Sequence, residues 1–158
     1  MTSRISSALR RFTARSRADR LLLLEALRAL AFARALALCL PFKRLAGMLG
    51  DVGTESPEQV ALAHEEIAGR IGWAVASAAR YVPWDGRCLT QAAAGWPMLA
   101  RRSIIGTVYF GVSEAPVPPG RLVFHAWLRC GSSLVTGGDG RLRYTVLACF
   151  SWKGESHV

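Results

Sequence analysis

The apolar residues in the first half of the chain recur at helical spacing, whereas those in the second half fall into short runs typical of strands. The stretch Ala18–Leu40 is rich in Leu and Ala, which are strong helix formers. It predicts a long helix that Pro41 ends, because the residue before a proline disfavours helical geometry. A short helical turn is expected within residues 42–49.

A second long helix is predicted from the run Ser56–Gln59, which has the composition of a helix start. The serine can cap the helix, the proline suits its first position and the glutamine completes a capping box. Apolar residues then continue at helical spacing over residues 60–78. We therefore expect this helix to begin at Pro57 and to end near Arg80.

A third helix is predicted after Pro83, with Asp85 as its cap and Cys88 in its first turn. Exposed amides and the helix dipole at such a start favour the thiolate, which is the nucleophilic form of cysteine. The alternative for Cys88 is a small buried apolar residue, a common role of free cysteines. The run Gly95–Pro97 is expected to kink or interrupt this helix.

After Ser103 the chain becomes rich in β-branched and aromatic residues. The predicted strands cover residues 103–112, 121–129, 134–137 and 141–152, with a proline-rich loop at 113–120. Helices followed by a meander of antiparallel strands indicate an α+β fold. On the second strand, alternation places His125 on the same face as Val123 and Trp127. The opposite face is apolar and should meet the core, with Leu122, Phe124, Ala126 and Leu128.

The net charge of +9 is concentrated near the N-terminus of the 158-residue chain. Residues 1–45 carry ten Lys or Arg against two acidic residues, which gives +8. Such a segment predicts either a surface for an acidic peptide, a protein or nucleic acid, or only a solvated helix face. We expect residues 1–17 to form a flexible basic arm and residues 18–158 a single domain, with a helical part (18–55) before a core (56–158).

The apolar stretch Leu21–Leu40 contains Glu25, Arg28 and Arg34, and each charge at a bilayer centre costs about 2.5–3.5 kcal/mol. We expect no membrane span, while peripheral membrane contact stays open.

The four cysteines form no CxxC pair and no Cys/His cluster with zinc spacing, so no metal or other cofactor is expected. The first twenty residues contain six Arg and no apolar run, which predicts no signal peptide and a location in the reducing cytoplasm. The remaining cysteines are expected to be packing residues: Cys39, Cys130 and Cys149.

A catalytic cysteine needs a base beside it and a third group that orients the base. His125, in the middle of a predicted strand, is the candidate base, and a structural role is the alternative. If residues 131–132 form a tight turn, antiparallel pairing brings Asp139 within one residue of the position opposite His125. Asp139 is therefore the candidate orienting acid, unless Asp139 and Gly140 form only a hairpin turn.

The order of a cysteine at a helix start, a histidine on a strand and an aspartate after the next strand is that of transglutaminase-like and papain-like cysteine enzymes. The chain also resembles the stand-alone B protein of lasso-peptide biosynthesis over nearly its whole length. The resemblance is carried by Arg87–Leu89, Ala100–Arg102, Ile105–Gly106, His125–Leu128, Val135–Gly138 and the run Arg20–Phe42. The chain departs from the family at the interruption Gly95–Pro97 and at Gly137 and Gly138, which stand at positions where the acid is expected.

This resemblance implies a leader peptidase with a transglutaminase-like fold, in which Cys88 is the nucleophile, His125 the base and Asp139 the acid. It implies that the precursor peptide is cut to free an α-amine, which a separate ATP-dependent cyclase joins to an Asp or Glu side chain. Because residues 1–60 are predicted to be helical and not a β-rich recognition module, a separate leader-recognition protein is expected as a partner.

Two other classes of function compete with the peptidase. In the first alternative, the chain is a non-catalytic module of the same fold, and it binds a peptide or a partner protein through its basic first helix. The second is nucleic-acid binding through the Arg-rich N-terminal segment. We rank nucleic acid last, because no known binding motif follows that segment, and expect no nucleic-acid partner.

Overall fold

The computed structural model describes Arg10 and residues 12–84, 88–114, 120–138 and 143–152. Its helices are α1 (Arg17–Cys39), α2 (Phe42–Gly47), α3 (Leu62–Ala79) and α4 (Cys88–Ala100). Its strands are β1 (Asp51–Val52), β2 (Thr107–Glu114), β3 (Leu122–Cys130), β4 (Ser133–Thr136) and β5 (Thr145–Ser151). Apart from the two-residue β1, the helices precede the strands, which confirms the predicted α+β fold.

The first helix forms where the sequence predicts it. The Ser16 hydroxyl accepts a hydrogen bond from the backbone amide of Asp19 at 3.1 Å and caps α1. At its other end α1 stops at Cys39, just before Pro41, and α2 follows that proline directly. Local signals therefore decide both ends of α1.

The second long helix begins later than predicted. α3 starts at Leu62 and not at Pro57, so the predicted capping box is wrong. Ser56 is buried instead, with its amide and its hydroxyl each 2.8 Å from the Thr107 hydroxyl oxygen. Its carbonyl accepts a hydrogen bond from Arg129 at 2.8 Å. These bonds to the sheet satisfy every polar group of Ser56, whereas a cap would satisfy one helix amide.

The predicted interruption of the third long helix does not occur. α4 runs without a break through Pro97 to Ala100. Because Pro97 lies near the end of the helix, its missing N–H removes only the hydrogen bond to Ala93, and few later residues depend on it. Gly95 has a packing role, since a Cβ there would lie 2.7 Å from the side chain of Leu128. The glycine lets α4 approach the sheet closely.

The strands form one antiparallel sheet in the order β1-β5-β2-β3-β4. The first predicted strand begins at Thr107 and not at Ser103, because residues 101–103 form turns at the end of α4 and Ser103 has a φ of 54°. The sequence did not predict β1, since two residues are too few to show a periodicity. The other strands match the predictions within a few residues.

A tight turn at residues 131–132 joins β3 to β4, as the sequence predicts, and Cys130 pairs with Ser133. The register then shifts by one residue, so that Leu128 lies opposite Thr136. β4 ends at this residue, well before the start of β3 is reached. The end of β4 therefore leaves room beside the first half of β3.

The helices cover one face of the sheet and form the core with it. Ala126 and Leu128 are buried there, as the alternation along β3 predicts. Leu122 and Phe124 are 57% and 67% exposed, so the prediction that they meet the core is wrong. The physical reason is that α4 packs over the second half of β3, at Leu128, and leaves the first half uncovered.

The opposite face of the sheet holds a buried cation that is hydrogen-bonded through each of its three nitrogen atoms. The Arg129 guanidinium donates to the Tyr109 hydroxyl at 2.9 Å and to the Gly131 carbonyl at 2.6 Å. It also donates to the Glu55 carboxylate at 3.2 Å. These bonds offset the cost of burying the charge and tie the segment before α3 to the sheet.

Glu25 is an acidic residue within the apolar helix α1, and it ties this helix to the end of α4. Its carboxylate accepts hydrogen bonds from Arg102 at 2.7 Å and from Arg101 at 2.9 Å. The hydrogen bond from Arg102 holds the pKa of Glu25 below its ordinary value.

In the part of the chain that the structure describes, no helix has the length and apolar character needed to cross a membrane.

The variant Glu25→Gln is expected to lower the free energy of unfolding at neutral pH by about 1–2 kcal/mol, because its charge-assisted hydrogen bonds become weaker. The folded-state pKa of Glu25 is lowered, so this stabilisation is present above the unfolded pKa and is lost as the pH falls through the folded value. Urea unfolding at about pH 7 and about pH 3 should show the difference shrinking at the lower pH. Glu58→Gln, at an exposed position, is the control, and an equal loss for Glu25→Gln at both pH values would contradict the assignment.

Candidate active site

Cys88 and His125, both predicted from the sequence, line one cleft of about 580 Å³. Cys88 comes from the start of α4 and His125 from β3. The other lining residues are Gly69, Gly72, Trp73 and Ala76 of α3, Gln91 of α4, and the segment Leu134–Gly138. The cleft thus opens where β4 ends, between α3, α4 and the first half of β3.

Cys88 is the first residue of α4, and its side chain is partly exposed. Amides in the first turn of a helix have no partner within the helix, and the helix dipole adds partial positive charge there. A helix start of this kind stabilises negative charge that forms close to it. Asp85, the predicted cap, lies outside the described residues.

The backbone holds one edge of the His125 ring. Its Nε2 atom lies 2.8 Å from the carbonyl oxygen of Gly137. Because a carbonyl oxygen only accepts hydrogen bonds, Nε2 carries the proton here. In the neutral form of the ring the lone pair then lies on Nδ1, which is the atom left to accept a proton from a thiol.

Gly137 reaches this position because it has no side chain. Its φ is 92°, and an added Cβ would collide with the Cβ of Trp127 and lie 2.8 Å from the Trp127 Cα. Gly138 also has a positive φ, 50°, but an added Cβ there would meet nothing within 4 Å. Only the first of the two glycines is therefore needed for close approach to β3.

Aromatic rings flank the imidazole of His125. The Trp127 ring is stacked on it with centroids 5.8 Å apart and planes at 23°. The Tyr144 ring is stacked on it with centroids 4.7 Å apart and planes at 24°. Trp127 is buried and Tyr144 is half-buried. Sequence reasoning missed Tyr144, because this contact depends on how β5 lies beside β2.

Asp139, the predicted orienting acid, lies outside the described residues. Within them, the group that accepts the hydrogen bond from His125 Nε2 is the Gly137 carbonyl. Sequence reasoning missed this backbone acceptor. The available signal was the consecutive glycines at 137 and 138, which mark a sharp turn with positive φ next to a predicted strand.

Across the described residues, no hydrogen bond joins the Cys88 thiol to the His125 ring. The two side chains approach the cleft from different sides, because α4 packs on the face of β3 that holds Ala126 and Leu128, whereas His125 belongs to the other face. Catalytic hydrogen bonds are often long in ligand-free enzymes and shorten in the substrate complex.

The other cysteines have different surroundings from Cys88. Cys130 is buried in the core, and burial raises the pKa of its thiol. Burial also raises the pKa of the half-buried Cys149 thiol. Cys39 is exposed, so the prediction that it packs is wrong, because the buried positions of α1 end at Ala33. None of these three lies at a helix start within the described elements.

A second cavity of about 590 Å³ adjoins the cleft, and Gly69 and Trp73 line both. The Arg15 guanidinium lies 4.7 Å from the centre of the Trp73 ring. Arg70 forms an ion pair with Asp19 at 2.9 Å on the same wall. Because Gly69 and Trp73 line both cavities, we refer to the two together as the groove across α3.

Two glycines of α3 differ in how they form this groove. At Gly72 an added Cβ would collide with the carbonyl oxygen of Val135, so the backbones of α3 and β4 are in direct contact. At Gly69, one turn earlier, an added Cβ would meet nothing within 4 Å. Gly72 is therefore part of the packing, and Gly69 forms an open part of the groove wall.

The described residues contain no group of three or more His, Cys, Asp or Glu side chains arranged to hold a metal ion.

The family model described as transglutaminase-like superfamily matches residues 26–149 of the chain, a span that includes Cys88, His125 and Asp139. No curated protein and no solved structure was found to match the chain. The match extends from α1 into β5 and so covers most of the chain.

Proposed function

Because the chain belongs to the transglutaminase-like superfamily, which includes cysteine proteases, we propose that it is a cysteine peptidase that removes the leader from a ribosomally made lasso-peptide precursor. The observation that carries the proposal is the cleft shared by Cys88 and by a His125 ring whose Nε2 is bound to the Gly137 carbonyl, which leaves Nδ1 to take the thiol proton. The reaction class rests on this pair. The substrate rests on the resemblance to lasso-peptide B proteins.

In the proposed reaction, His125 Nδ1 accepts the thiol proton, and the Cys88 sulfur attacks the carbonyl carbon of the scissile peptide bond. Backbone amides at the start of α4 donate to the oxyanion that forms. Nδ1 then gives its proton to the leaving nitrogen as the C–N bond breaks, and the core peptide departs with a free α-amine. Water attacks the thioester, which restores the Cys88 thiol and releases the leader as a carboxylate.

The groove across α3 suits an extended peptide. The two cavities meet at Gly69 and Trp73, so a peptide held at Cys88 can continue along the helix. Trp73 offers an apolar ring, and Arg15 and Arg70 offer hydrogen-bond donors to peptide carbonyls or acidic side chains. The groove thus supplies the length and the mixed chemistry that binding of a peptide segment needs.

The proposal includes partners and a location. A separate leader-recognition protein delivers the precursor, and the ATP-dependent cyclase uses the α-amine that cleavage frees. The net charge of +8 in residues 1–45 suits an acidic partner surface. Residues 1–17 serve as a basic arm and residues 18–158 as the protease domain, and the reaction takes place in the cytoplasm.

Iodoacetamide is expected to modify Cys88 before the more exposed Cys39 at about pH 6, because only Cys88 has a helix start and an imidazole to favour its thiolate. Peptide mass mapping after short exposures follows both thiols in one sample. His125→Ala should remove the advantage of Cys88. If Cys39 reacts first in the unaltered protein, the peptidase proposal is wrong.

The second candidate is a non-catalytic module that binds a peptide in the same cleft. It is favoured by one observation, which is that no hydrogen bond joins Cys88 to His125 among the described residues. Mass spectrometry of a precursor peptide incubated with the protein separates the candidates. A peptidase yields a leader and a core fragment, whereas a binding module leaves the peptide intact.

A further inference from the structure

The His125 ring belongs to a row of stacked rings on one face of the sheet. Tyr109 and Trp127 stack with centroids 5.3 Å apart and planes at 7°. Trp127 and His125 follow at 5.8 Å, and His125 and Tyr144 at 4.7 Å. Arg129 closes the far end, with its guanidinium 5.7 Å from the Tyr109 ring and hydrogen-bonded to its hydroxyl at 2.9 Å.

The strand positions of Trp127 and Tyr144 place them toward opposite ends of the sheet from His125. Trp127 follows His125 on β3, toward one end of the sheet. Tyr144 precedes Thr145, which pairs with the same β2 residue as Phe124 and so lies toward the other end. From this placement and the two stacking contacts we infer that the rings cover opposite faces of the imidazole.

We propose that Tyr144 is a positioning residue of this site, which together with Trp127 clamps the His125 ring and stabilises the positive charge that the ring gains when it takes the thiol proton. The inference rests on the proposed peptidase function. The faces of aromatic rings carry partial negative charge and attract a cation placed over them. An imidazolium between two such faces gains more than a neutral imidazole, so the clamp favours transfer of the thiol proton to His125.

The clamp and the Gly137 carbonyl fix the ring in complementary ways. The two rings hold the plane of the imidazole, and the hydrogen bond from Nε2 to the carbonyl holds its rotation within that plane. The direction of Nδ1 is thereby set before a substrate arrives.

Few charged groups compete with this effect. On α3, α4 and β4, the titratable group that lines the cleft with His125 is the Cys88 thiol. The Tyr144 phenol faces the His125 ring from the segment before β5. The rings of Tyr109 and Trp127 lie between Arg129 and His125. Asp139 lies outside the described residues and does not enter the inference.

Variants of Tyr144 separate a stacking role from mere space filling. Tyr144→Phe keeps the ring face, whereas Tyr144→Leu removes it and keeps an apolar side chain. The rate of Cys88 alkylation by iodoacetamide, measured from about pH 5 to pH 9 by mass mapping, reports how easily the thiolate forms. We expect Tyr144→Phe to keep the original profile and Tyr144→Leu to move its midpoint up by about half to one pH unit. Tyr81→Leu, which removes an exposed ring elsewhere, should leave the profile unchanged.

Each outcome bears on a different statement. If Tyr144→Leu and Tyr144→Phe share the original profile, the clamp is overturned while the peptidase proposal stands. If Cys88 of the unaltered protein is slow throughout, the peptidase proposal fails and the clamp with it. If thermal unfolding shows that Tyr144→Leu is not folded, Tyr144→Met replaces it, because methionine fills irregular space without a ring.

Discussion

Replacing Cys88 with alanine is expected to reduce precursor cleavage by about a thousandfold or more and to leave the protein folded. In the proposed reaction the sulfur is the atom that forms the thioester, and no other group of the cleft's described lining replaces it as a nucleophile at that helix start. Cys88 is partly exposed, and alanine is the best helix former, so the change costs α4 little. A mass-spectrometric time course with the precursor peptide and the recognition partner, together with thermal unfolding, measures both parts.

Cys39→Ala is the matched control for this result, because it removes an exposed thiol from the end of α1. It should change neither the cleavage rate nor the midpoint of thermal unfolding. Undiminished cleavage by folded Cys88→Ala would remove Cys88 from the mechanism. Loss of folding in that variant would instead mean that Cys88 is a packing residue.

The second large effect is expected at Gly137, where alanine should lower the free energy of unfolding by about 3 kcal/mol. The new Cβ would collide with Trp127, and a φ of 92° is unfavourable for any residue with a side chain. Relief of the collision moves the carbonyl that holds His125 Nε2, so cleavage by the folded fraction should also fall by about a hundredfold. Urea unfolding and the cleavage time course measure the two losses separately.

Gly138→Ala is the neighbouring control. Its φ of 50° is also positive, but an added Cβ meets nothing within 4 Å, so a cost of about 1 kcal/mol is expected with cleavage nearly unchanged. Equal losses at both positions would show that backbone strain alone matters. In that case the contact between Gly137 and Trp127 would have no special part in holding the site.

The helices show which predictions a sequence supports. The start and end of α1 follow from residues within or beside it, Ser16 and Pro41, and both were predictable. The start of α3 was not, because Ser56 bonds to Thr107 and Arg129, which are distant in sequence. Local signals are reliable only where no distant partner competes for the same polar groups.

The candidate site divides in the same way. Cys88 at a helix start and His125 in an alternating strand are local patterns, and the structure places both on one cleft. The Gly137 carbonyl and the Tyr144 ring reach His125 only through register. The register shifts close to each of them. The shift near Gly137 lies next to Leu128 in the β3–β4 pair, and the shift near Tyr144 lies in the β2–β5 pair. Such shifts arise from packing and leave no periodic signal in the sequence.

Gly69 and Gly72 lie on the same helix, α3, but they differ in whether another residue can replace the glycine. No side chain fits at position 72, because the main chains of α3 and β4 are in contact there. At position 69 a side chain would enter the groove and leave the packing untouched, and even alanine would favour the helix by about 1 kcal/mol. Under the proposed function, a new preference for the sequence of the bound peptide can therefore arise one turn away from a residue that cannot vary, at no expense to the fold.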